Sequence, residues 1–293
     1  MLPSLYKYDP FQIFNLSYSA FLFNIEIGFP AESCRISVDF SYTLSCSLPL
    51  IVVHYSNPNR KDVFRMEMNA AAIWINNTFA EFDVWMVQFI HRLHSLAGGF
   101  FTPFFEFISE LGHGGIPLII LAMILMIFRR TRRYGTAMLL GLAIGAIFTN
   151  CILKVLIARP RPYSDETQAF FRNIYNESFD LFQRLWLRVG QNVESDKSFP
   201  SGHTTAAFAS MTALFLTGNK KYSWLAFIFA ILMAIARIYL VVHFASDVVA
   251  GIVVGILAGI LGVWIAGLIP DGFYDSDWPF QKKKRAGGKH CSV

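Results

Sequence analysis

The sequence predicts an all-α membrane protein, a polytopic bundle of five to six transmembrane helices. Hydrophobic residues make up 54% of the 293-residue chain and charged residues only 15%, which is unusual for a soluble domain of this length. The mean hydropathy is positive, at +0.44. The apolar residues are concentrated after about residue 112, in runs that approach the roughly 20 residues a helix needs to cross a bilayer.

The charge pattern excludes one class of partner. The net charge is +5, but the positive residues lie in short clusters at the ends of apolar runs, where they act as topology signals. We therefore expect a lipid bilayer as partner and no nucleic acid. The four cysteines are scattered and form neither a metal pattern nor a disulfide framework. The oligomeric state is left open.

The N-terminal third divides into two parts. Residues 1–65 have no helical or strand period and no signal-peptide pattern, so we expect either a disordered extension or a true start at Met66 or Met68. Residues 66–111 are predicted to form amphipathic interfacial helices, because polar residues such as Asn76 and Asp83 interrupt the apolar stretch 70–96. A sixth span here would place the N-terminus in the cytoplasm.

The membrane domain is predicted over residues 112–270, followed by a basic cytoplasmic tail at 271–293. Five apolar segments supply the spans, at 114–128, 134–157, 203–216, 222–242 and 245–268. Basic clusters follow the first, third and fifth segments, at 129–133, 220–221 and 282–285. These clusters fall on one side, which the positive-inside rule makes cytoplasmic. The connection 158–199 then lies outside a cell membrane, as an interfacial helix or as a solvated loop.

Three clusters of polar residues interrupt this apolar region. In the first, Lys154 precedes Pro160, which ends the helix and brings Arg159 and Arg161 to the outer surface. Lysine supplies a compact charge, and guanidinium supplies a planar fork that suits phosphate oxygens. The alternative is a snorkelling lysine with an ordinary interfacial flank, although positive residues at an outer end oppose the usual bias.

The second cluster is Pro200-Ser201-Gly202-His203, directly before the third apolar segment. A helix start presents unpaired N–H groups to an anion, and glycine allows close approach. Ser201 can cap the helix or donate a hydrogen bond, and His203 can donate a proton to a leaving oxygen. A plain helix cap followed by an interfacial histidine is the alternative.

The third cluster contains Arg237, His243 and Asp247. An arginine within an apolar segment is costly unless it faces a polar interior. His243 and Asp247 are four residues apart, so they share a helical face or meet across a helix break. A carboxylate on one ring nitrogen leaves the other free to attack. A structural Arg–Asp pair with a bystander histidine is the alternative, but all three clusters fall on one side of the membrane.

These residues resemble the pattern of the type 2 phosphatidic acid phosphatase (PAP2) family. That pattern has Lys, six residues and Arg-Pro, then Pro-Ser-Gly-His, then Ser-Arg, five residues, His, three residues and Asp. The matching positions here are Lys154, Arg161, Pro162, Pro200, Ser201, Gly202, His203, Arg237, His243 and Asp247. Ala236 replaces the serine, which removes at most one hydrogen bond to phosphate. The resemblance covers about residues 100–268.

The resemblance implies a bacterial membrane-bound lipid phosphatase with a PAP2 and vanadium-haloperoxidase-like core and no metal or other cofactor. It implies that His243 is the nucleophile, Asp247 its orienting partner and His203 the proton donor. The residues implied to bind phosphate are Lys154, Arg161, Ser201, Gly202 and Arg237. Arg159 lies outside the matching positions and is expected only to contact substrate.

Several functions remain open at this stage. The expected substrate is an isoprenoid pyrophosphate such as undecaprenyl pyrophosphate, and phosphatidate or phosphatidylglycerophosphate is the alternative. A vanadium haloperoxidase is disfavoured because those proteins are soluble. A non-catalytic lipid-binding or transport protein is disfavoured by the intact set of His203, His243 and Asp247.

Overall fold

The computed structural model describes residues 68–176, 178–194 and 196–275, together with four short strands nearer the N-terminus. The helices are α1 Ala70–Ala97, α2 Thr102–Glu110, α3 Ile116–Ile127, α4 Arg132–Ala146, α5 Lys154–Ile157, α6 Asp165–Ile174, α7 Leu181–Arg188, α8 Gly202–Thr217, α9 Lys220–Ser223, α10 Ala226–Tyr239, α11 Ala245–Leu268 and α12 Asp271–Asp275. A 3-10 turn at His113–Gly115 precedes α3, and a π-helical turn at Ile147–Leu153 joins α4 to α5.

The strands are β1 Ile27–Gly28, β2 Arg35–Ser41, β3 Leu50–Ser56 and β4 Phe64–Met66. They form an antiparallel sheet in the order β1-β2-β3-β4, with Val38 opposite Val53. The sequence pattern did not predict these strands. The all-α prediction is confirmed for the region from residue 68 to residue 275, and the predicted tail beyond 275 lies outside the described residues.

The core of the bundle is α11, which packs mainly against α8 and α4. Small residues permit this approach. A Cβ on Gly255 would lie 2.7 Å from the backbone oxygen of Thr205, and one on Gly262 would lie 2.5 Å from the backbone nitrogen of Gly141. Close backbone contact of this kind is typical of helices that associate inside a membrane.

Among the described residues, four helical stretches are long and apolar enough to cross a membrane. They are Thr102–Ile127, Arg132–Ile157, Lys220–Tyr239 and Ala245–Leu268. Large apolar side chains such as Ile124, Val253, Leu257 and Trp264 cover their outer faces, so the chain is a multi-pass membrane protein. The prediction of five to six spans exceeds these four. The predicted segment 203–216 forms α8, which has only 16 residues and extends about 24 Å, too short to be a candidate span.

Helix α1 has one face against the bundle and one face outward. Asn69 caps its start by accepting a hydrogen bond from the Ala72 N–H at 2.8 Å. Its buried side includes the polar residues Asn76 and Asp83, whereas Trp85 and other aromatic residues are exposed. The helix is not among the four candidate spans, and its buried polar residues contact Arg159 and the first turn of α11.

The connection between α5 and α8 folds over that same end. It contains α6 and α7, which pack through an aromatic cluster around Phe171, Phe182 and Phe244. Residues after α7 return toward the start of α8, where Ser198 N–H donates to the Arg159 backbone oxygen at 2.8 Å. This return places Glu194, Asp196 and Ser198 beside the predicted catalytic residues.

Candidate active site

A cavity of about 460 Å³ opens where α5, α8 and the turn between α10 and α11 meet. Five of the predicted site residues line it, namely Lys154, Arg161, Gly202, His203 and His243. Ser201, Arg237 and Asp247 lie behind the wall. Glu194 and Asp196, which the motifs did not predict, also line the cavity.

Lys154 and Arg161 are placed by the way the fourth helix ends. The π-helical turn directly precedes Lys154, and such turns are frequent at functional sites. Ala158 adopts the left-handed conformation with φ 49° and ends the helix before Pro160. The chain then turns so that the Arg161 guanidinium reaches the Val242 backbone oxygen at 2.7 Å. Both cations therefore meet at the mouth of the cavity.

Asp196 occupies the donors of these two cations. One carboxylate oxygen accepts from Lys154 and the other from Arg161. Burial alone would raise the pKa of Asp196, but the hydrogen bonds and charges of Lys154 and Arg161 outweigh it and hold the pKa below its ordinary value. The carboxylate is ionised at neutral pH. Its side chain is 47% exposed, so nothing in the packing fixes it there.

Arg237 is engaged in the same way by a second carboxylate. Its guanidinium donates to Glu194 and to the Ser109 hydroxyl, and its Nε has no hydrogen-bond partner in the described structure. Arg237 is 2% exposed, whereas the Glu194 side chain is 25% exposed. The third predicted phosphate-binding cation is therefore paired with a partly exposed acidic side chain.

His243 lies in the break between α10 and α11. Val241 has a positive φ of 55°, and α11 starts at Ala245 with Phe244 as its N-cap. Asp247 accepts the Phe244 N–H at 3.0 Å, which is the capping arrangement that satisfies an exposed helix N–H. This cap turns the carboxylate back toward His243.

Asp247 and Arg161 both lie against the ring of His243. Its Nδ1 lies 3.7 Å from Asp247 Oδ2, and the Ser198 hydroxyl donates to that oxygen at 2.5 Å. Arg161 Nη1 lies 2.9 Å from Nε2 and 3.5 Å from Nδ1. Nε2 is therefore the ring nitrogen nearer to the cation that lines the cavity, and Nδ1 is the one that faces Asp247.

Burial and the adjacent Arg161 charge together lower the pKa of His243 to about 3, against the opposing effect of Asp247. The ring is therefore neutral at pH 7. A neutral imidazole with no proton on Nε2 is the form required of a nucleophile. That nitrogen is in hydrogen-bond distance of Arg161, so the guanidinium has to turn to a phosphate oxygen before Nε2 can attack.

This lowered pKa predicts a pH-dependent stability. The unfolded chain binds a proton at His243 near pH 6.5, whereas the folded chain does so only near pH 3. The free energy of unfolding therefore decreases as the pH falls through this window, by at most about 1.4 kcal/mol per pH unit. Thermal unfolding in detergent should lose stability more steeply below about pH 6.5 in the wild type than in His243→Gln. Equal slopes would contradict a buried neutral histidine.

His203 stands at the start of α8, across the cavity mouth. Its ring lies 6.4 Å from the exposed ring of His113, and the described residues offer its imidazole no hydrogen-bond partner. A Cβ on the neighbouring Gly112 would come 3.2 Å from His203 Cδ2, so glycine leaves room for this ring. Because its imidazole is unengaged, His203 is available to a bound molecule.

Ser201 and Gly202 form the N-terminus of α8. The Ser201 side chain is fully buried and accepts from the Thr204 hydroxyl at 2.9 Å, so its oxygen does not reach the cavity. A Cβ on Gly202 would lie 3.6 Å from Lys154 Nζ. The start of α8 therefore lies beside the Lys154 ammonium in the cavity wall, and a helix N-terminus next to a cation suits a bound anion.

Arg159 differs from its expected place. It is fully buried and is absent from the cavity wall, so it cannot contact substrate as expected. It binds Asp247 at 2.5 Å and Asp83 of α1 at 2.8 Å. The contributions of Asp83, Glu194, Asp196 and Ser198 had no signal in the sequence, because their spacing from the motifs follows no period.

The described residues contain no cluster of three or more His, Cys, Asp or Glu side chains arranged to hold a metal ion. The charged and ring groups of the cavity are Lys154 and Arg161, the carboxylates Glu194 and Asp196 that pair with cations of the site, and the imidazoles of His113, His203 and His243. The cations and the N-terminus of α8 are the groups that suit a bound oxyanion.

The fold and site together define a membrane helical bundle with a cavity at one end that is lined by two cations, two carboxylates and three histidines. Residues 134–269 match the model of the PAP2 superfamily. The matched segment runs from within α4 to the end of α11 and contains every residue that the resemblance implied for the site.

Two relatives share parts of this sequence. The chain is 30% identical over 163 residues to undecaprenyl-diphosphatase of Sulfolobus acidocaldarius, covering 55% of this chain and 66% of that protein. It is 43% identical over 75 residues to lipid A 1-phosphatase of Porphyromonas gingivalis, covering 25% of this chain and 17% of that protein. The chain thus spans less than two thirds of the length of each relative.

Two crystal structures are similar in outline. LpxE of Aquifex aeolicus aligns with a TM-score of 0.41 at 25% identity, covering 56% of this chain and 86% of that one. A transmembrane PAP2-type phosphatidylglycerolphosphate phosphatase of Bacillus subtilis aligns with a TM-score of 0.40 at 24% identity, covering 66% and 96%.

Proposed function

We propose that this chain is a lipid phosphate phosphatase that works through a phosphohistidine on His243. The observation that carries the proposal is the meeting of a neutral, carboxylate-oriented histidine with Arg161, Lys154 and an unengaged His203 in one cavity. Phosphoryl transfer needs mainly positioning and stabilisation of charge on the transferring oxygens, which these cations and the α8 N-terminus supply.

The proposed reaction has two steps. In the first, His243 Nε2 attacks phosphorus, the bond from phosphorus to the lipid oxygen breaks, and His203 gives a proton to that oxygen. Burial, with the charge of Arg237, lowers the pKa of His203 to about 2. The negative charge of the bound phosphate raises this pKa, which allows the ring to be protonated when it acts. Asp247 stabilises the positive charge that the ring acquires. In the second, His203 accepts a proton from water, the water oxygen attacks phosphorus, and the phosphorus–nitrogen bond breaks to release phosphate and neutral His243.

Substrate binding requires Glu194 and Asp196 to leave. Both carboxylates hold the cations that would bind phosphate, and two anionic groups compete for the same donors. Their partial exposure allows them to swing away when a phosphate with more oxygens and more charge arrives. The cavity therefore has carboxylates as internal competitors of its substrate.

We expect Asp196→Asn to lower the KM for lipid phosphate and the inhibition constant of orthovanadate, each by roughly three- to tenfold, because an amide competes less well for cations. Steady-state kinetics in mixed micelles measures both. Asp165→Asn, at an exposed residue in the first turn of α6 in the same connection, is the matched control and should change neither. A KM that is unchanged or higher in Asp196→Asn would show that the carboxylate does not compete.

The lipid part of the proposal comes from the other end of the cavity. Beyond the charged groups its wall is apolar, with Ile119 of α3 and Leu139, Leu142 and Ala146 of α4. These α4 positions span about two turns inside a membrane helix. A hydrocarbon chain attached to the phosphate can pack against this apolar wall, whereas a small water-soluble phosphate ester would leave it uncovered.

Within this class we propose an isoprenoid pyrophosphate such as undecaprenyl pyrophosphate as the substrate. The name of the Sulfolobus acidocaldarius relative supports this choice. Phosphatidate or phosphatidylglycerophosphate is the second candidate, and the name of the Bacillus subtilis protein agrees with the latter. A non-catalytic lipid-binding protein is the candidate from another class.

A panel assay separates these candidates. Purified protein in detergent is given prenyl pyrophosphates, phosphatidate and phosphatidylglycerophosphate, with and without chelator, and phosphate release is measured. We expect the highest kcat/KM on the prenyl pyrophosphate. A preference for a glycerolipid phosphate would overturn the substrate, and binding without any release would overturn the enzyme.

We also propose that the site faces the extracytoplasmic side of a cell membrane. The cavity lies at the Lys154 end of the span Arg132–Ile157, and the basic residues around Arg132 lie at the opposite end. The positive-inside rule makes the Arg132 end cytoplasmic. Labelling of Asp196→Cys by a membrane-impermeant thiol reagent in intact cells tests this, since protection until lysis would contradict it.

A further inference from the structure

Arg159 is a buried guanidinium with an unusually complete set of partners. Its Nε donates to Asn76 Oδ1 at 2.7 Å, and its Nη2 donates to Asp83 Oδ2 at 2.8 Å. Its Nη1 donates to Asp247 Oδ1 at 2.5 Å and to the Ser246 hydroxyl at 2.8 Å. The carbon at its centre lies 3.8 Å from the centre of the Phe244 ring. A fork held in this way has one orientation.

Two of these partners come from α1. Asn76 and Asp83 are separated by two helical turns on its buried face, and both are at most 2% exposed. Asp83 also accepts from the Ser246 N–H at 2.9 Å and from its hydroxyl at 2.7 Å. Helix α1 lies outside the segment that matches the superfamily, yet it contacts the first turn of α11, where Asp247 lies.

The group contains one positive and two negative side chains, because the Arg159 guanidinium pairs with both Asp83 and Asp247. If Asp247 were the only acid beside Arg159, the arginine would cancel the negative charge that stabilises a charged His243 ring. Burial raises the pKa of Asp83 above its ordinary value, and the Arg159 charge offsets only part of this. Three donors face the Asp83 oxygens, which is the hydrogen-bonding pattern of an ionised carboxylate. With Asp83 ionised, the group keeps one net negative charge beside His243.

We infer that Arg159, Asp83 and Asn76 are positioning residues that orient Asp247 toward His243 and preserve its charge. The inference rests on the proposed phosphatase function and adds α1 to the catalytic machinery. Arg159 fixes one oxygen of Asp247, so the other faces His243 Nδ1. Asp83 occupies the opposite edge of the guanidinium, so Asp247 retains charge to stabilise the ring while it carries the phosphoryl group.

The test compares Asp83→Asn with the double variant Asp83→Asn/Arg159→Gln. Removing Arg159 alone would leave two buried carboxylates without a cation, which is strongly destabilising. The double variant removes one charge of each sign and so keeps the charge balance. We expect each to lower kcat by about 10–100-fold, as is usual for groups that orient an active-site side chain, with KM and the orthovanadate inhibition constant within about twofold of wild type. Formation of the phosphoenzyme should slow by the same factor as kcat.

Glu81→Gln is the matched control, because Glu81 is an exposed acid on the same helix, and it should keep wild-type kinetics. Rates are expressed per folded protein, from the cooperative unfolding transition of each variant. A wild-type kcat in Asp83→Asn, or a kcat that falls only with the folded fraction, overturns the inference. An inactive wild type with no His243 adduct would instead overturn the proposed function itself.

Discussion

Replacing His243 with glutamine is expected to reduce phosphate release from every lipid phosphate by at least about 10⁴-fold. The ring is buried between Arg161 and Asp247, and no second imidazole in the described part of the chain stands beside that carboxylate. Glutamine is of similar size and can still accept from Arg161, so the cavity keeps its shape. Release of phosphate from the preferred substrate in detergent micelles measures the effect.

His91→Gln is the control, since His91 lies on α1 and is absent from the cavity wall. Orthovanadate should still protect the His243→Gln protein against thermal unfolding, because the cations remain. Residual turnover within about 100-fold of wild type would mean that phosphorus is attacked by another group, such as water.

Replacing His203 with glutamine is expected to have the second largest effect, a loss of about 10²–10⁴-fold with lipid phosphates. The lipid oxygen is a poor leaving group without a proton, and His203 is the unengaged imidazole at the cavity mouth. An aryl phosphate such as p-nitrophenyl phosphate needs little protonation. Its first step should therefore be slowed much less, while water attack on the phosphohistidine remains slow.

This difference gives a sharp readout. With p-nitrophenyl phosphate, the His203→Gln protein should release one burst of nitrophenol and then accumulate phosphoenzyme. His91→Gln, on α1 and absent from the cavity wall, serves again as the control. Equal losses on lipid and aryl phosphates, with no burst, would contradict a role for His203 in protonating the leaving oxygen.

The sequence predicted those parts of the site that follow local rules. Pro160 after Lys154, the glycine at the start of α8 and the four-residue spacing of His243 and Asp247 each constrain a short stretch of backbone. The structure brings these stretches to one cavity through the packing of α4, α8 and α11. The sequence left open a shared helical face or a helix break, and the break at His243 is what the structure has.

The sequence could not predict the groups that depend on long-range folding. Glu194 and Asp196 lie in a connection without a period, and their pairing with Arg161 and Arg237 depends on how that connection returns to α8. The sequence predicts that Asp83 lies on the polar face of an interfacial helix, because an acid within an apolar stretch is typical of a helix at the membrane surface. Its buried partner Arg159 is 76 residues away.

The number of spans shows the limit of hydropathy. Helix α8 is rich in small and hydroxyl residues such as Thr204, Thr205 and Ser210 that face neighbouring helices. A helix at the centre of a bundle exposes little surface to lipid, so it needs fewer apolar residues than an outer helix. With 16 residues and this composition, α8 does not meet a criterion based on apolar length alone.

The most direct test of the central claim is to identify the phosphorylated residue. His203→Gln protein mixed with labelled p-nitrophenyl phosphate is quenched in alkali, which preserves phosphohistidine, and is digested for mass spectrometry. We expect one phosphoryl group on the peptide that contains His243, and none when His243→Gln is combined with His203→Gln. A phosphoryl group on any other residue, or no adduct despite a nitrophenol burst, would contradict a phosphohistidine mechanism at His243.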